Sequence, residues 1–422
     1  MGEVLTQLLL GIFVVTLVGF WAFESWQLKQ ARKQIPIRIH VNGTRGKSSV
    51  TRLIAGALRG GGLKTAAKTT GTLPRLITEQ TVEEPIVRLA RTNILEQTKI
   101  IKKVAGLKTD AMVIECMALQ PEYQYITEHR IVQATIGVIT NIRPDHLDVM
   151  GPTVQDVAWA LAGSIPQKGY LVTAERNPEL LSILRQACEV RGTQLIGITE
   201  DEVKAIDNTI MAQFGHYEHR ENVALALRIA HLCNITTENA LRGMVGAKAD
   251  PGALSAIALK DGHDITFVNG FAANDPNSSQ MIWDIVHEKF PPHYQKILLF
   301  NLREDRADRS RQLCEALTHW IRPSQLWLMG TGTTAARAWA LRSGIPPTDI
   351  LDFSETTAAE AFEKIKKQVS PHTPTVVVGI GNVAGAGLEL VELFRKNGNS
   401  VAGRYFYPVQ SAIVERAMIE NG

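Results

Sequence analysis

The chain has 422 residues, is 45% hydrophobic and 21% charged, and carries a formal net charge of +3. Those fractions are globular, with length for two or three domains, and the spread-out basic residues exclude a nucleic-acid footprint. Four cysteines, Cys116, Cys188, Cys233 and Cys314, stand too far apart for a zinc motif or a disulfide framework and point to a reducing compartment.

Val4–Phe23 holds no charge over twenty residues. At 1.5 Å per residue that matches a hydrocarbon core of about 30 Å. Trp21 and Trp26 lie near one end, and Lys29, Arg32, Lys33 and Arg38 follow, against Glu3 alone before it. The segment reads as an uncleaved transmembrane helix, single-pass, with the catalytic body in the cytoplasm. A signal peptide would want a basic start, a shorter apolar core and a small-residue cleavage site. A core helix of the soluble body is the remaining reading.

Beyond it, apolar strand-like runs alternate with amphipathic helical stretches. Ile35–Val41, Ala111–Glu115, Ala134–Thr140 and Tyr170–Ala174 read as strands, and Ser48–Leu58, Pro178–Val190 and Arg220–Leu232 as helices. The turn-rich stretch Gly246–Leu254 is the expected boundary. Strands are then expected at Ile265–Val268, Ile297–Phe300, Gln325–Met329 and Thr375–Val378, with helices between them. The fold expected is α/β: an anchor over 1–33, a central domain over 34–246 with a mostly parallel sheet, and a smaller Rossmann-like domain over 247–422.

Three segments carry chemistry. Gly43-Thr44-Arg45-Gly46-Lys47-Ser48 follows a strand and opens a helix. Glycines let backbone N–H groups close around phosphate oxygens, and the helix dipole favours the anion. Lys47 would reach the terminal phosphates and Ser48 the Mg²⁺ that rides with them. Val41 stands where a full Walker A motif has its first glycine. Next, the strand Ala111–Glu115 ends in a carboxylate where a P-loop protein holds its metal; a solvated strand edge is the alternative. The third, Thr140–Gly151, packs Asp145, His146 and Asp148 together. Read without context it is a capped helix start with a hydrogen-bonded histidine, since a hard cation prefers oxygen ligands.

In this order the three segments resemble the Mur ligase superfamily of ATP-dependent amide ligases. "NGTRGKSS" looks like its phosphate loop, with Arg45 where that loop usually has Asn, and it extends the loop to Ser49. "IECMAL" is similar to the strand ending in a magnesium-binding glutamate, here Glu115. "TNIRPDHLDVMG" resembles the segment whose histidine sits at a second magnesium, which implies His146. "HRENVALALRIA" resembles the helix whose asparagine approaches the nucleotide, which implies Asn222. "NGFAANDPNSS", Asn269–Ser279, is a diverged form of a C-terminal-domain segment. Two departures place the chain within the superfamily. The phosphate loop follows the apolar run by about twenty residues, so no UDP-recognition domain is expected before it. The boundary Pro-Gly-Arg reads Pro251-Gly252-Ala253, and Arg303 and Arg306 are the expected replacements at the γ-phosphate.

With the anchor and Arg45, the combination resembles the capsule-forming branch that makes poly-γ-glutamate. That resemblance implies ATP and Mg²⁺ as cofactors, with metal contacts at Ser48, Glu115, His146 and Thr70. It implies glutamate and a growing poly-γ-glutamate chain as substrates. One span is too little to export a polyanion, so other membrane subunits are expected; homo-oligomerisation is left open. Thr70 and Thr72 offer hydroxyls to the metal or a phosphate oxygen, or belong to an ordinary turn. Lys64, Lys68, Arg75, Arg88 and Arg91 offer a basic surface for a polyanion, or a plain solvated face. Gly379–Ala384 fits a dinucleotide fingerprint, but no acidic residue follows at the required distance, and a loop facing the active-site cleft is expected. The competing functions are a folylpolyglutamate synthase-like ligase and a non-catalytic ATP-driven switch.

Overall fold

The computed structural model describes residues 2–71, 74–78, 82–88, 93–260, 262, 264–383 and 385–408. Thr72, Arg91 and Ala384, named above, lie outside them.

The apolar N-terminus forms one helix, α1 (Gly2–Lys33). Its window of highest hydropathy is wholly exposed. Its last turns dock instead: Leu28 and Ala31 are buried with Ile35 among Ile100, Ile101, Val104, Met112 and Ile114. Burying a leucine stabilises by about 1.5–3 kcal/mol, enough to fix this end of the helix.

The chain divides into two compact units, residues 1–205 with 219–248, and residues 206–218 with 249–422. The first holds an eight-stranded sheet in the order β4-β3-β2-β5-β1-β6-β7-β8. Its strands are β1 (Ile37–Asn42), β2 (Thr65–Thr69), β3 (Arg75–Ile77), β4 (Glu83–Pro85), β5 (Ala111–Glu115), β6 (Ile136–Ile139), β7 (Tyr170–Thr173) and β8 (Gln194–Gly197). Strands β2, β5, β1, β6, β7 and β8 run parallel, and β3 and β4 add to one edge through antiparallel pairs. The central strands are buried on both faces and read as unbroken apolar runs, as parallel strands covered by helices must. Helix α2 (Lys47–Gly60) follows β1 and is buried from Val50 to Leu58, while α3 (Leu95–Gly106) leads into β5.

The second unit holds a seven-stranded sheet in the order β13-β12-β11-β14-β10-β9-β15. These are β9 (Ser255–Leu259), β10 (Ile265–Asn269), β11 (Gln295–Leu302), β12 (Gln325–Gly330), β13 (Ile350–Ser354), β14 (Thr375–Gly381) and β15 (Gly398–Ser400). Five are parallel, with antiparallel β9 and β15 at the edge. Its core stacks Phe267, Phe271, Trp327, Phe353, Phe362 and Phe394 against the sheet. The segment 206–218 belongs to this unit. The Tyr217 ring stacks on Tyr407, its N–H donates to Leu254 O at 2.7 Å, and Tyr407 Oη bonds the backbone of Glu218. The α/β class, the mostly parallel sheet and the Rossmann-like second unit are those the sequence predicts.

Candidate active site

Parallel register brings four strand ends of the first unit to one edge. β1 lies between β5 and β6, with Val41 opposite Glu115 and Asn42 opposite Ile139, and β2 pairs Lys68 with Ile114 on the far side of β5. This carboxyl edge is where ligands bind in open α/β sheets.

The loop leaving β1 needs its glycines. Gly43 has φ 132°, and a Cβ there would lie 2.1 Å from Thr140 Oγ1; Gly46 has φ 81° in the left-handed region. A Cβ on Gly46 would meet Asn222 Oδ1 at 3.2 Å, so the buried Asn222 sits against the last glycine of the loop. Helix α2 begins with no side-chain cap and no acidic residue in its first turn. The backbone N–H groups of Lys47, Ser48 and Ser49 belong to that first turn and have no intrahelical acceptor, which makes an anion cradle. Lys47 Nζ folds over the loop, donating to Gly43 O at 2.7 Å and Thr44 O at 3.2 Å.

Two polar braces hold this loop. Asn42 Oδ1 accepts from Gly43 N–H at 2.8 Å, while its Nδ2 donates to Gln124 Oε1 and Ser164 Oγ at 2.7 and 3.0 Å. From the loop after β6, Asn141 Oδ1 accepts from Thr44 Oγ1 at 2.7 Å and from Arg45 N–H at 3.1 Å, and Thr140 Oγ1 donates to Arg45 O at 2.6 Å. None of these braces is among the residues predicted from sequence. The signal for them was the polar pair Thr140-Asn141 directly after an apolar strand.

Glu115, almost fully buried, accepts at Oε2 from Ser48 Oγ at 2.9 Å and from Thr70 N–H at 2.7 Å. Thr70 therefore meets it through the backbone. Gln97 Nε2, from α3, donates to Glu115 O at 3.0 Å. His146 lies further along the Thr140–Gly151 loop with φ 44°, a strained position for a residue with a Cβ. Its side chain is half exposed, its Nε2 stands 3.9 Å from Asp145 Oδ1, and Arg45 Nη2 stands 3.8 Å from the same oxygen. The loop is pinned from below by Glu175, whose Oε2 accepts from Ile142 N–H at 2.9 Å. The structure thus brings Gly43–Ser49, Thr70, Glu115 and Asn222 together and joins the His146 loop to them through Arg45.

Arg303 and Arg306 lie in the second unit. Arg303 pairs with Asp305 at 2.7 and 2.9 Å, and the exposed Arg306 stands 4.0 Å from that carboxylate. The Pro251-Gly252-Ala253 turn is held by Asn269 Nδ2, which donates to Pro251 O and Ala253 O.

For two of the five basic residues after the phosphate loop, neither a surface for a polyanion nor a solvated face holds. Lys68 is fully buried, its Nζ 2.8 Å from Glu96 and 3.7 Å from Met117 Sδ. Burial lowers its pKa, an effect that Glu96 opposes. Arg88 closes on the same Glu96 at 2.7 Å. These two cations are spent on one internal carboxylate, which sequence order hides because Glu96 lies 28 residues beyond Lys68.

The donors fit the groups the sequence implies. An uncapped helix start beside two left-handed glycines suits a triphosphate, and a serine hydroxyl on a carboxylate is an oxygen donor set for a hard cation. Among the described residues no cage of three His, Cys, Asp or Glu is present. A Mg²⁺ held by one or two carboxylates and the substrate phosphates needs none.

A phosphate-loop sheet followed by a Rossmann-like unit, with a strand-end glutamate on the serine of the loop, is the architecture of a Mur-type ligase. Residues 41–244 match the Mur ligase middle domain, and residues 255–397 match the poly-gamma-glutamate synthase CapB C-terminal domain. The chain is 37% identical over 392 residues to the PGA synthase CapB of Bacillus subtilis (strain 168), which spans 91% of this chain and 96% of that protein. It is 34% identical over 388 residues to the capsule biosynthesis protein CapB of Bacillus anthracis, spanning 91% and 82%. It belongs to the CapB family of poly-γ-glutamate synthases. The folylpolyglutamate synthase of Thermotoga maritima shares the fold, with a TM-score of 0.64 over 90% of this chain and 95% of that one at 14% identity.

Proposed function

We propose that this protein is an ATP-dependent, ADP-forming amide ligase that joins glutamate through γ-linkages into poly-γ-glutamate. The observation that carries the reading is the Ser48–Glu115 contact at the foot of an uncapped glycine loop, in a chain of the CapB family. A carboxylate is a poor acyl donor because oxide would have to leave. Transfer of the γ-phosphoryl group of ATP to the γ-carboxylate of the chain end makes phosphate the leaving group. The amine of the next glutamate then displaces it.

In this reading the cradle of Gly43–Ser49 binds the triphosphate, Lys47 bears on its terminal phosphates, and Asn222 borders the nucleotide. Ser48 and Glu115 would hold one Mg²⁺ and His146 a second, and these ions would supply charge screening between two anions. The loop, braced by Asn42, Thr140 and Asn141, keeps its N–H groups aimed before the substrate arrives, so little reorganisation is left for the reaction. Arg303 and Arg306 are the second unit's candidates for the γ-phosphate. Helix α1 anchors the protein in the membrane with both units on the cytoplasmic side, next to the further membrane subunits that export of a polyanion requires.

The fold likeness to folylpolyglutamate synthase rests on 14% identity, against 37% to the B. subtilis PGA synthase. The polymer reading is therefore the stronger. The test supplies the membrane-embedded protein with ATP, Mg²⁺ and glutamate, and follows phosphate release and γ-linked oligomers by mass spectrometry. Glutamate-dependent ADP formation with oligomers is expected. ATP turnover indifferent to glutamate, with no oligomer, would favour the switch, and glutamylation of added folate would favour the other ligase.

Glu115→Gln keeps the shape that Ser48 and Thr70 bind but removes the charge. The Mg²⁺ concentration for half-maximal activity is expected to rise at least about 10-fold, since even outer-shell partners of a metal cost 10–100-fold. An unchanged metal titration would remove Glu115 from the metal site.

A further inference from the structure

The first charged residue after the uncharged run is Glu24. Its carboxylate meets Lys102 Nζ at 2.8 Å, and Gln27 Oε1 meets the same ammonium at 2.9 Å. Phe23 and Trp26 stack beside it with ring centroids 6.1 Å apart, and Trp21 and Trp26 are exposed. Such aromatic pairs settle at the headgroup level of a bilayer. The helix has no break between the apolar run and its docked end. Helix geometry, rather than a linker, therefore sets how far α3 stands from the run. At 1.5 Å per residue Glu24 begins about 1.5 Å past Phe23, and Lys33 about 15 Å past it.

Lys99, Lys102 and Lys103 of α3 are spaced i, i+3 and i+4, so they share one face. Lys99 is exposed and forms no ion pair among the described residues, and neither do the exposed Lys29 and Lys33, one turn apart on α1. Among the described residues, Glu24 and Glu84 are the carboxylates that pair with these lysines, at Lys102 and Lys103. The surface is cationic, and two of its lysines, Lys102 held at Glu24 and Lys29 about 9 Å past Phe23, lie within about a Debye length of where the apolar run ends.

We infer that this surface, Lys99, Lys102 and Lys103 of α3 with Lys29 and Lys33 of α1, is a docking face for the anionic lipid headgroups of the leaflet that α1 enters. The inference rests on the reading of α1 as a membrane anchor. Its occupant follows from two features: α1 is continuous into the apolar phase, and the lysines complement a negative leaflet. The docked face would hold the ATP-binding unit flush against the membrane instead of letting it swing on a tether.

The test places the full chain in nanodiscs of phosphatidylcholine containing about one-third phosphatidylglycerol and measures the lipids retained by the protein. The wild type is expected to retain phosphatidylglycerol over phosphatidylcholine at a ratio more than about 10-fold above the bulk ratio, less so at high salt. Each lysine near an anionic surface contributes about five-fold. The triple variant Lys29→Gln/Lys99→Gln/Lys103→Gln, which spares the Lys102–Glu24 pair, should therefore lose at least about 10-fold of that preference. Amide exchange over α3 in detergent checks that the variant keeps its fold. Carbonate extraction separates the two ways to fail. A chain that leaves the membrane overturns the anchor and the docking face together. A chain that stays inserted but holds phosphatidylglycerol only at its bulk share overturns the docking face alone, and the wild type by itself suffices to see it.

Discussion

Lys47→Ala is expected to abolish ATP turnover and polymer formation together, with kcat/KM for ATP down by at least about 10²–10³-fold. That is the range lost when one preorganised donor to developing charge is removed. Lys47 forms no ion pair among the described residues, and its Nζ rests only on the carbonyl oxygens of Gly43 and Thr44. The residues that secure α2, from Val50 to Leu58, are untouched by the change. Loss of activity with an unchanged melting temperature is therefore the expected pair of results. Polymer made at the wild-type rate by Lys47→Ala would move ATP to another site. A variant that still turns over ATP but makes no polymer would detach the loop from nucleotide binding and assign Lys47 to the glutamate substrate.

The parts of this site that sequence discloses are those where one residue type has one physical use. An apolar run ending in Gly-x-x-Gly-Lys-Ser declares a phosphate loop because only glycine accepts the φ of Gly43 and Gly46. A run ending in Glu115 declares a strand-end carboxylate, and the parallel register then sets it against Ser48. What sequence conceals depends on partners far along the chain. Lys68 looks like surface until Glu96 folds over it. Asn141 looks like loop until its side chain is seen to hold both Thr44 and Arg45. The segment 206–218 gives no sign that its Tyr217 stacks on a tyrosine 190 residues later. Strands β2 to β4 are short and polar at their ends, so no period-2 pattern marks them. Distant pairing chose their conformation over local preference.

Glu128→Ala is expected to cost about 3–5 kcal/mol of stability, the toll of leaving one member of a buried ion pair without its counter-charge. Glu128 lies in the π-helical turn Thr127–Val132, and its Oε2 stands 2.8 Å from His40 Nδ1, with both side chains essentially inaccessible to water. Oε1 accepts from Ala134 N–H at 2.8 Å, at the entrance to β6. Burial alone would push His40 toward its neutral form. Cys116 and Glu128 beside the ring outweigh it and raise the imidazole pKa to about 10. A pKa raised on folding gives a contribution that is complete below the unfolded value of about 6.5 and is lost as pH climbs through 10. Denaturant unfolding of the wild type and of Glu128→Ala should therefore differ most near pH 6.5 and progressively less between pH 7 and pH 10. A gap that stays constant across that window would mean His40 is neutral in the fold. Because β1 carries His40 two residues before Asn42, the strand that leads into the phosphate loop depends on this pair. The variant should accordingly lose nucleotide affinity in mild denaturant near neutral pH before it loses secondary structure.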